Sequence, residues 1–568
     1  MQSTLRLSAL LATCGLALSA SVAINGTTLV GSEVTSSSGK TLDFFAGIPY
    51  AEAPVGKLRF APPVPRALNG STFDVTSFGP ACPQPIDGGV PVEKQSEDCL
   101  TINVMRPAGI SSDAALPVVS NPSLLYENTL LSERTLSWSG ESSLRLVFGG
   151  GFYTGSALSF DSSPVVAQSV ERGTPVILVS FGYRLGPLGF PQGDEMDGSG
   201  LLNVGARDAL LAFDWVNRNI AAFGGDASKV RSDGRAITLQ ILSLTNTLGP
   251  YIRGAVFMSG YAGTTIPKPA SANQPSWDSF SSLVGCTSTS GSVLDCLRGA
   301  DSEAVMDAVR QVVPKTTFNW WPALDGANGL IPDLPSNIWA AGGYTQVPSI
   351  AGAHLDDGTW FAPTQVSNET LVRLLLQTLL SPPVDGHSDD ELQSMIDEIL
   401  ALYPDDPALG SPYNTGNETF GLSSTYKRVS AILGDDMFHS QRRLFQQTSS
   451  KAGVPTYGYL FADPPSDGTD PRLGVYHSLD VQYMFHNLTS AAPESSVQLS
   501  EQVIDYWLSF VTSLDPNDGS GVDRPHWPVY SENETIMQLN GANLTAIPDD
   551  YREEQITSLN ANPGILHH

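Results

Sequence analysis

Basic side chains are scarce in this chain. Against 58 Asp and Glu stand only 30 Lys and Arg, a formal net charge of −28 at pH 7. Such a surface repels phosphate backbones and anionic lipid, so nucleic acid and an anionic membrane surface are excluded as partners. Long apolar runs are lacking too. The one candidate, Leu7 to Leu18, is too short to span a bilayer, and no membrane anchor is expected. With Arg6 before it and Ser21-Val22-Ala23 after it, Met1 to Ala23 reads as a secretory leader. Cysteine is rare: five in 568 residues, with Cys14 inside the leader. The other four are Cys82, Cys99, Cys286 and Cys296, and neither CxxC nor HxxxH spacing accompanies them. They therefore read as two short-loop disulfides of an exported protein rather than as a metal site. Seven N-x-S/T sequons, at Asn25, Asn69, Asn368, Asn417, Asn487, Asn533 and Asn543, fit glycosylation in that compartment. No linker, charge block or internal repeat divides the chain, and its 41% hydrophobic content can fill one large core. Residues 24–568 are expected to form a single domain.

What is present is a string of ordered motifs. Phe45-Ala46-Gly47-Ile48-Pro49-Tyr50-Ala51 leads to Leu58-Arg59-Phe60. Glu97-Asp98-Cys99-Leu100 precedes Asn103-Val104, and Phe148-Gly149-Gly150-Gly151-Phe152-Tyr153 precedes Tyr183-Arg184-Leu185-Gly186-Pro187-Leu188-Gly189-Phe190. The run Trp215-Val216 … Asn219-Ile220 … Phe223-Gly224-Gly225-Asp226 follows. Together these closely resemble type B carboxylesterases of the cholinesterase-like α/β-hydrolase family. The resemblance implies an α/β fold, a large, mostly parallel sheet with helices on both faces. It also implies an ester hydrolase acting on a small-molecule ester through a serine, an acid and a histidine, without cofactor. The order of the cysteines matches the family's bridges, Cys82–Cys99 and Cys286–Cys296. The family further implies a structural ion pair between Glu97 and Arg184.

The chemistry of ester hydrolysis assigns the site residues. A developing oxyanion needs backbone N–H groups aimed at it, and glycines let the backbone come close. By resemblance the donors are Gly150, Gly151 and the N–H of Asp233. In Asp356-Asp357-Gly358-Thr359 the pattern's triad acid is Asp357, an aspartate where relatives carry glutamate. Its role is to accept Nδ1–H from the base and stabilise the imidazolium. That base is His477, in Gly474-Val475-Tyr476-His477-Ser478-Leu479-Asp480, with His354 and His439 as weaker competitors and His567-His568 as a tail. The order serine, acid, histidine is that of α/β-hydrolases. The segment with Trp320 and Trp321 resembles the family's pocket-proximal segment, and core packing is an equal reading of the two tryptophans.

Two stretches depart from the pattern. Where relatives continue into a strand ending in G-x-S-A-G, this chain has Val230-Arg231-Ser232-Asp233-Gly234. Ser232 is the candidate nucleophile, followed by a helix from Ala236 to Leu244. The strand before it is expected to shrink to Lys229-Val230-Arg231, since the segment is about four residues short and strands usually need about five or six. In addition, residues 119–145 make the connection roughly 25 residues longer than the pattern, and structureless loops of that length are uncommon inside compact domains. Val119-Ser120 is encodable as GTGAGT, so a retained intron is the expectation. The damaged elbow raises a rival reading, a cholinesterase-like binding or adhesion protein without activity. The loop between Cys82 and Cys99 is short, polar and without an apolar helical stripe, which favours dispersed esters over an oil interface.

Overall fold

The computed structural model describes residues 20–568 apart from 87–88, 122–149, 157–160, 235–243, 246–248, 250, 316–318 and 385. Most of the expected insertion, and the expected helix from Ala236 up to Ser243, fall outside the described residues. In chain order the strands are β1 (Ser21–Ile24), β2 (Thr27–Val30), β3 (Ser32–Thr35), β4 (Thr41–Pro49), β5 (Thr72–Asp74), β6 (Thr101–Pro107) and β7 (Leu116–Asn121). They continue with β8 (Ile177–Phe181), β9 (Gly225–Gly234), β10 (Ala255–Met258), β11 (Ser349–His354), β12 (Thr456–Phe461), β13 (Thr535–Leu539) and β14 (Thr545–Pro548).

Eleven of these form one sheet in the order β14-β13-β12-β11-β10-β9-β7-β8-β6-β4-β3. Neighbours from β8 across to β13 run parallel, and the antiparallel pairs lie at the two edges. The inner strands read as continuous apolar runs because both faces are covered. Ile177–Phe181, Ser349–His354 and Thr456–Phe461 are buried at every residue. Successive side chains enter different cores: Val118, Ala255, Phe257 and Ala351 lie in one, Val119, Val256, Met258 and Ile350 in the other. Helices such as Val204–Asn219 and Ser440–Lys451 pack on one face and Glu494–Ser513 on the other. This is the mostly parallel, doubly covered sheet that the motifs imply. Both expected disulfides are present, Cys82–Cys99 and Cys286–Cys296.

Several expectations are corrected. Ser21–Ile24 is a strand paired with β2, Val22 and Ile24 inward. Residues 21–23 are thus placed in β1, and β2 has β5 as its other neighbour. Val119 and Ser120 belong to β7 and pair with β8 and β9, so the extra segment begins later than residue 119. β9 is not a stub. Its register against β7 shifts between Leu116 and Val118, and in that irregular stretch Asp226 Oδ1 accepts from the N–H (2.9 Å) and the hydroxyl (2.6 Å) of Ser228. From Val230 the strand runs on through Ser232 to Gly234 between β7 and β10. Strand formation here comes from the flanking strands rather than from local propensity. His567 and His568 are not a loose tail. Both are buried; the carbonyl of His568 accepts from Ser336, and its Nε2 lies 3.0 Å from Asp436 Oδ1.

The ion pairing also differs. Glu97 pairs with Arg59, through Nε at 2.6 Å and Nη2 at 2.7 Å. Arg184, leaving β8, faces the helix Val204–Asn219 and pairs with its Asp208, at 2.8 and 2.6 Å. The backbone N–H of Arg184 also donates to Asp208 Oδ2 (3.0 Å), so main chain and side chain are held by one acid. All four side chains are almost fully buried. Removing one partner of such a pair leaves a buried charge uncompensated and costs about 3–5 kcal/mol. A double-mutant cycle in denaturant unfolding is therefore expected to find strong coupling for Arg59 with Glu97 and none for Arg184 with Glu97. Coupling of Glu97 to Arg184 alone would restore the sequence-based pairing.

Candidate active site

The site is built where β11 and β12 end, on the carboxyl edge where parallel α/β sheets present their functional loops. After His354 the chain turns through Leu355-Asp356-Asp357-Gly358. A Cβ on Gly358 would lie 2.0 Å from the carbonyl oxygen of Ser430 and 2.4 Å from the nitrogen of Gly434. Only glycine lets this turn press so closely on the helix Ser424–Gly434, and the turn sinks Asp357 wholly out of solvent.

Asp356 ties the acid turn to the histidine loop. Its N–H donates to the carbonyl of Val475 (3.1 Å), and its Oδ2 accepts from the N–H of Val475 (2.9 Å). Its Oδ1 accepts from the Ser411 hydroxyl and the Tyr413 N–H, both at 2.8 Å. Gly474 has φ +58°, and a Cβ there would strike Asp356 Oδ2 at 2.4 Å. Burial pushes the Asp356 carboxyl up to about 6 against the opposing pull of these donors and of Arg552. Sequence reasoning assigned Asp356 no role; the doubled aspartate before a glycine was the signal available.

These constraints bring two expected residues together. His477 Nδ1 lies 2.7 Å from Asp357 Oδ1. The His477 ring packs against Phe361, with centroids at 5.2 Å, and Phe438, at 4.9 Å. Phe438 is carried on a π-helical turn, Asp435–His439, a distortion that recurs at functional sites. Burial by itself raises the Asp357 carboxyl, but the charge and hydrogen bond of His354, and those of His477, outweigh it and hold the group well below the ordinary carboxylate range. Asp357 therefore stays ionised beside its base.

Of the two competing histidines only one touches the acid. His439 bonds the Tyr551 hydroxyl at 2.9 Å. His354 lies beside the acid, 3.2 Å from Asp357 Oδ1. Ser259, at the end of β10 with φ +50°, puts its hydroxyl 3.0 Å from Asp357 Oδ2; sequence reasoning missed it. Ligating atoms of His354, Asp357 and His477 converge within 4.8 Å. Both Nδ1 atoms face the same carboxylate oxygen, the geometry of a hydrogen-bonded acid and base rather than of a metal ligand sphere.

The glycine turn is present. Gly150 and Gly151 have φ +59° and +50°, and Phe152 follows at +69°. A Cβ on Gly151 would meet the Tyr153 ring at 2.7 Å, with Trp321 Nε1 at 3.7 Å. Trp321 thus walls the turn, whereas Trp320 is core, packed on Phe280. Gln84 fastens the turn to the Cys82–Cys99 loop: its Oε1 accepts from the Thr154 hydroxyl and the Gly155 N–H, both at 2.9 Å.

Ser232 and Asp233 are placed differently. The register aligns Ser232 with Ala255 of β10, and Ala255 with Ser349, the first residue of β11. His354 stands five residues further along β11 (354 − 349), about 16 Å at roughly 3.3 Å per residue. Ser232 thus lies within the strand, two residues before its end at Gly234 (234 − 232), not on the turn beyond. Asp233 pairs with Val256 in the same ladder. The backbone register does not bring these two residues to the Asp357–His477 pair.

All seven sequon asparagines are exposed, and among the described residues no helix is long and apolar enough to cross a membrane.

Comparison with known proteins extends this picture. The family model described as "Carboxylesterase family" matches residues 18–558. The secreted triacylglycerol lipase LIP1 of Gibberella zeae is 32% identical, covering 94% of this chain and 90% of its own length. Secreted lipase 1 of Botryotinia fuckeliana is 31% identical, covering 92% and 90%. Among solved structures, Aspergillus niger EstA superposes with a TM-score of 0.79 at 21% identity, over 97% of this chain and 99% of that one, a likeness of fold.

Proposed function

Because the chain belongs to the carboxylesterase family, and is a carboxylic ester hydrolase of α/β-hydrolase fold, we propose that Asp357 and His477 are its acid and base. The observation that carries this assignment is the 2.7 Å contact between His477 Nδ1 and a wholly buried Asp357 carboxylate. In this reading His477 takes the proton of the attacking hydroxyl at Nε2, and Asp357 fixes the tautomer and stabilises the imidazolium. The N–H groups of Gly150 and Gly151 receive the oxyanion, whose charge they stabilise because the backbone is already in place before the reaction. Collapse of the tetrahedral intermediate expels the alcohol and leaves an acyl-enzyme. Water, activated by the same histidine, releases the acid. Ser232 is the nucleophile the motif order implies, and its place within β9 makes it the weak member of the set. The binding-protein alternative finds no support in relatives that are named lipases.

The substrates we propose are short or medium soluble esters. Between Cys82 and Cys99 the described regular structure is 3₁₀ only, at Ile86 and at Val92–Lys94, and Gln84 within that loop is turned inward onto the glycine turn. Among its described residues a loop fastened in this way has no amphipathic helix to swing open at an oil surface. We also propose export and glycosylation, supported by the leader-like N-terminus, the exposed sequons and relatives named as secreted. The test is the rate on p-nitrophenyl esters of graded chain length, followed through their solubility limits. A smooth saturation curve, highest for the shorter chains, is expected; a sharp rise in rate beyond the solubility limit would overturn the short-loop argument.

A further inference from the structure

With Asp357 and His477 as acid and base, a second histidine on the same carboxylate has no role. Resting on that assignment, we propose that His354 is a positioning residue: it clamps the Asp357 carboxylate so that an aspartate can orient His477 where the family pattern has the longer glutamate.

Four donors surround the carboxylate. Oδ1 faces His477 Nδ1 at 2.7 Å and His354 Nδ1 at 3.2 Å. Oδ2 accepts from the Ser259 hydroxyl at 3.0 Å and from the backbone N–H of His354 at 2.7 Å. His354 therefore supplies two of the four contacts, one to each oxygen, which defines the plane of the carboxylate. A carboxylate left to rotate about its Cβ–Cγ bond would swing Oδ1 off the His477 Nδ1–H, and misplacement by about 1 Å costs about 10²-fold.

The clamp is itself held. The His354 ring is wholly buried and lies on Phe461, with centroids at 5.3 Å. Its Nε2 lies 3.0 Å from Asp480 Oδ1 and 3.2 Å from the Asp480 N–H, and Tyr459 donates to Asp480 Oδ2 at 3.1 Å. With Nε2 unprotonated the ring accepts from the Asp480 N–H; with Nε2 protonated it donates to the Asp480 carboxylate. In the first form Nδ1–H is shared between Asp357 Oδ1 and the Ser259 hydroxyl, whose oxygen lies 2.8 Å from Nδ1; in the second only a doubly protonated ring also donates to Asp357. Asp480 is three residues beyond His477, where the histidine loop enters the helix Asp480–Met484. The contacts thus close a ring, from His477 to Asp357, to His354, to Asp480, and back along the chain to His477. The titratable groups facing His354 are Asp357, Asp480 and His477, with Tyr459 behind Asp480.

The experiment uses the full chain, isotope-labelled, and follows by NMR the low-field proton bridging His477 Nδ1 and Asp357. In His354→Gln that proton is expected to exchange with water at least about tenfold faster than in wild type. Protection returns in His354→Gln/Asp357→Glu, whose longer acid no longer needs the clamp. A His354 that merely filled space would lower the thermal midpoint without rescue by the glutamate. Should His354→Gln not fold, Asp480→Asn frees the far side of the ring and is expected to speed exchange in the same direction. Unchanged exchange in the folded variants overturns the proposal. A wild-type protein lacking this proton at any pH removes the Asp357–His477 reading itself, and the clamp with it.

Discussion

Replacing Arg231–Gly234 by a strand ending in G-x-S-A-G, with residues 122–145 exchanged for a short apolar connection, is expected to raise p-nitrophenyl butyrate hydrolysis at least about 10²-fold. The reason is placement. In the chain as it stands Ser232 shares a row with Ala255 and Ser349, whereas the acid and base hang from the far ends of β11 and β12. An attacking oxygen must come within roughly 3–3.5 Å of the carbonyl carbon while bonded to the base, and a residue inside a central ladder cannot do both. Asp233 also puts a charge where the pattern G-x-S-A-G has alanine. Without a placed serine, the oxyanion turn and the base still act on water. Such remnants of a triad retain about 10³–10⁴ over the uncatalysed rate, which is the slow hydrolysis expected of the unrepaired chain. Its Ser232→Ala variant should then hydrolyse the ester as fast as wild type. The comparison is made on purified proteins at equal concentration; equal, high activity before and after repair would show that the native elbow works.

In the repaired chain, His477→Ala is expected to lower kcat by about 10⁵–10⁶, because loss of one member of a triad costs about as much as loss of all three. Far-UV circular dichroism should be unchanged, since His477 sits on a loop at the edge of the cores rather than within a strand. His439→Ala serves as control. That ring is committed to Tyr551 and, although buried, touches neither Asp357 nor His477 in any described hydrogen bond, so kcat should fall less than about tenfold. A reversal of the two results would move the base to the π-helical turn.

The motifs disclosed the acid and base because each follows a mostly apolar strand that is buried at every residue. Ser349–His354 and Thr456–Phe461 are readable as buried parallel strands, and the loop after each carries its residue in a fixed pattern. β9 was not readable in this way. Gly-Asp-Ala-Ser-Lys-Val-Arg-Ser-Asp-Gly has turn composition throughout, and it is extended because β7 and β10 offer ladders on either side. Tertiary pairing overrides propensity there, which is why a short stub was expected and a strand through Ser232 is found. Charged pairs were no easier. The resemblance offered Arg184 alone as the partner of Glu97; that Arg59 takes Glu97 and Arg184 takes Asp208 of helix Val204–Asn219 depends on contacts distant in sequence. Polarity misled at the C-terminus, where His567-His568 resembles a solvated tail yet is buried against Pro267, Ser336 and Asp436. His354 was legible only as a competitor for the base. Its contacts with Asp357 and Asp480 depend on two loops meeting, and no spacing in the sequence records that meeting.

The most direct test of the account, an assembled acid and base with the candidate serine held inside a strand, is fluorophosphonate labelling of the unrepaired chain followed by peptide mapping. An activated serine reacts once per chain, and only while its base is present. The account predicts no stoichiometric adduct on the peptide containing Ser232, and one adduct per chain, on the introduced serine, after repair, lost again in His477→Ala. Stoichiometric, His477-dependent labelling of Ser232 in the unrepaired protein would contradict it.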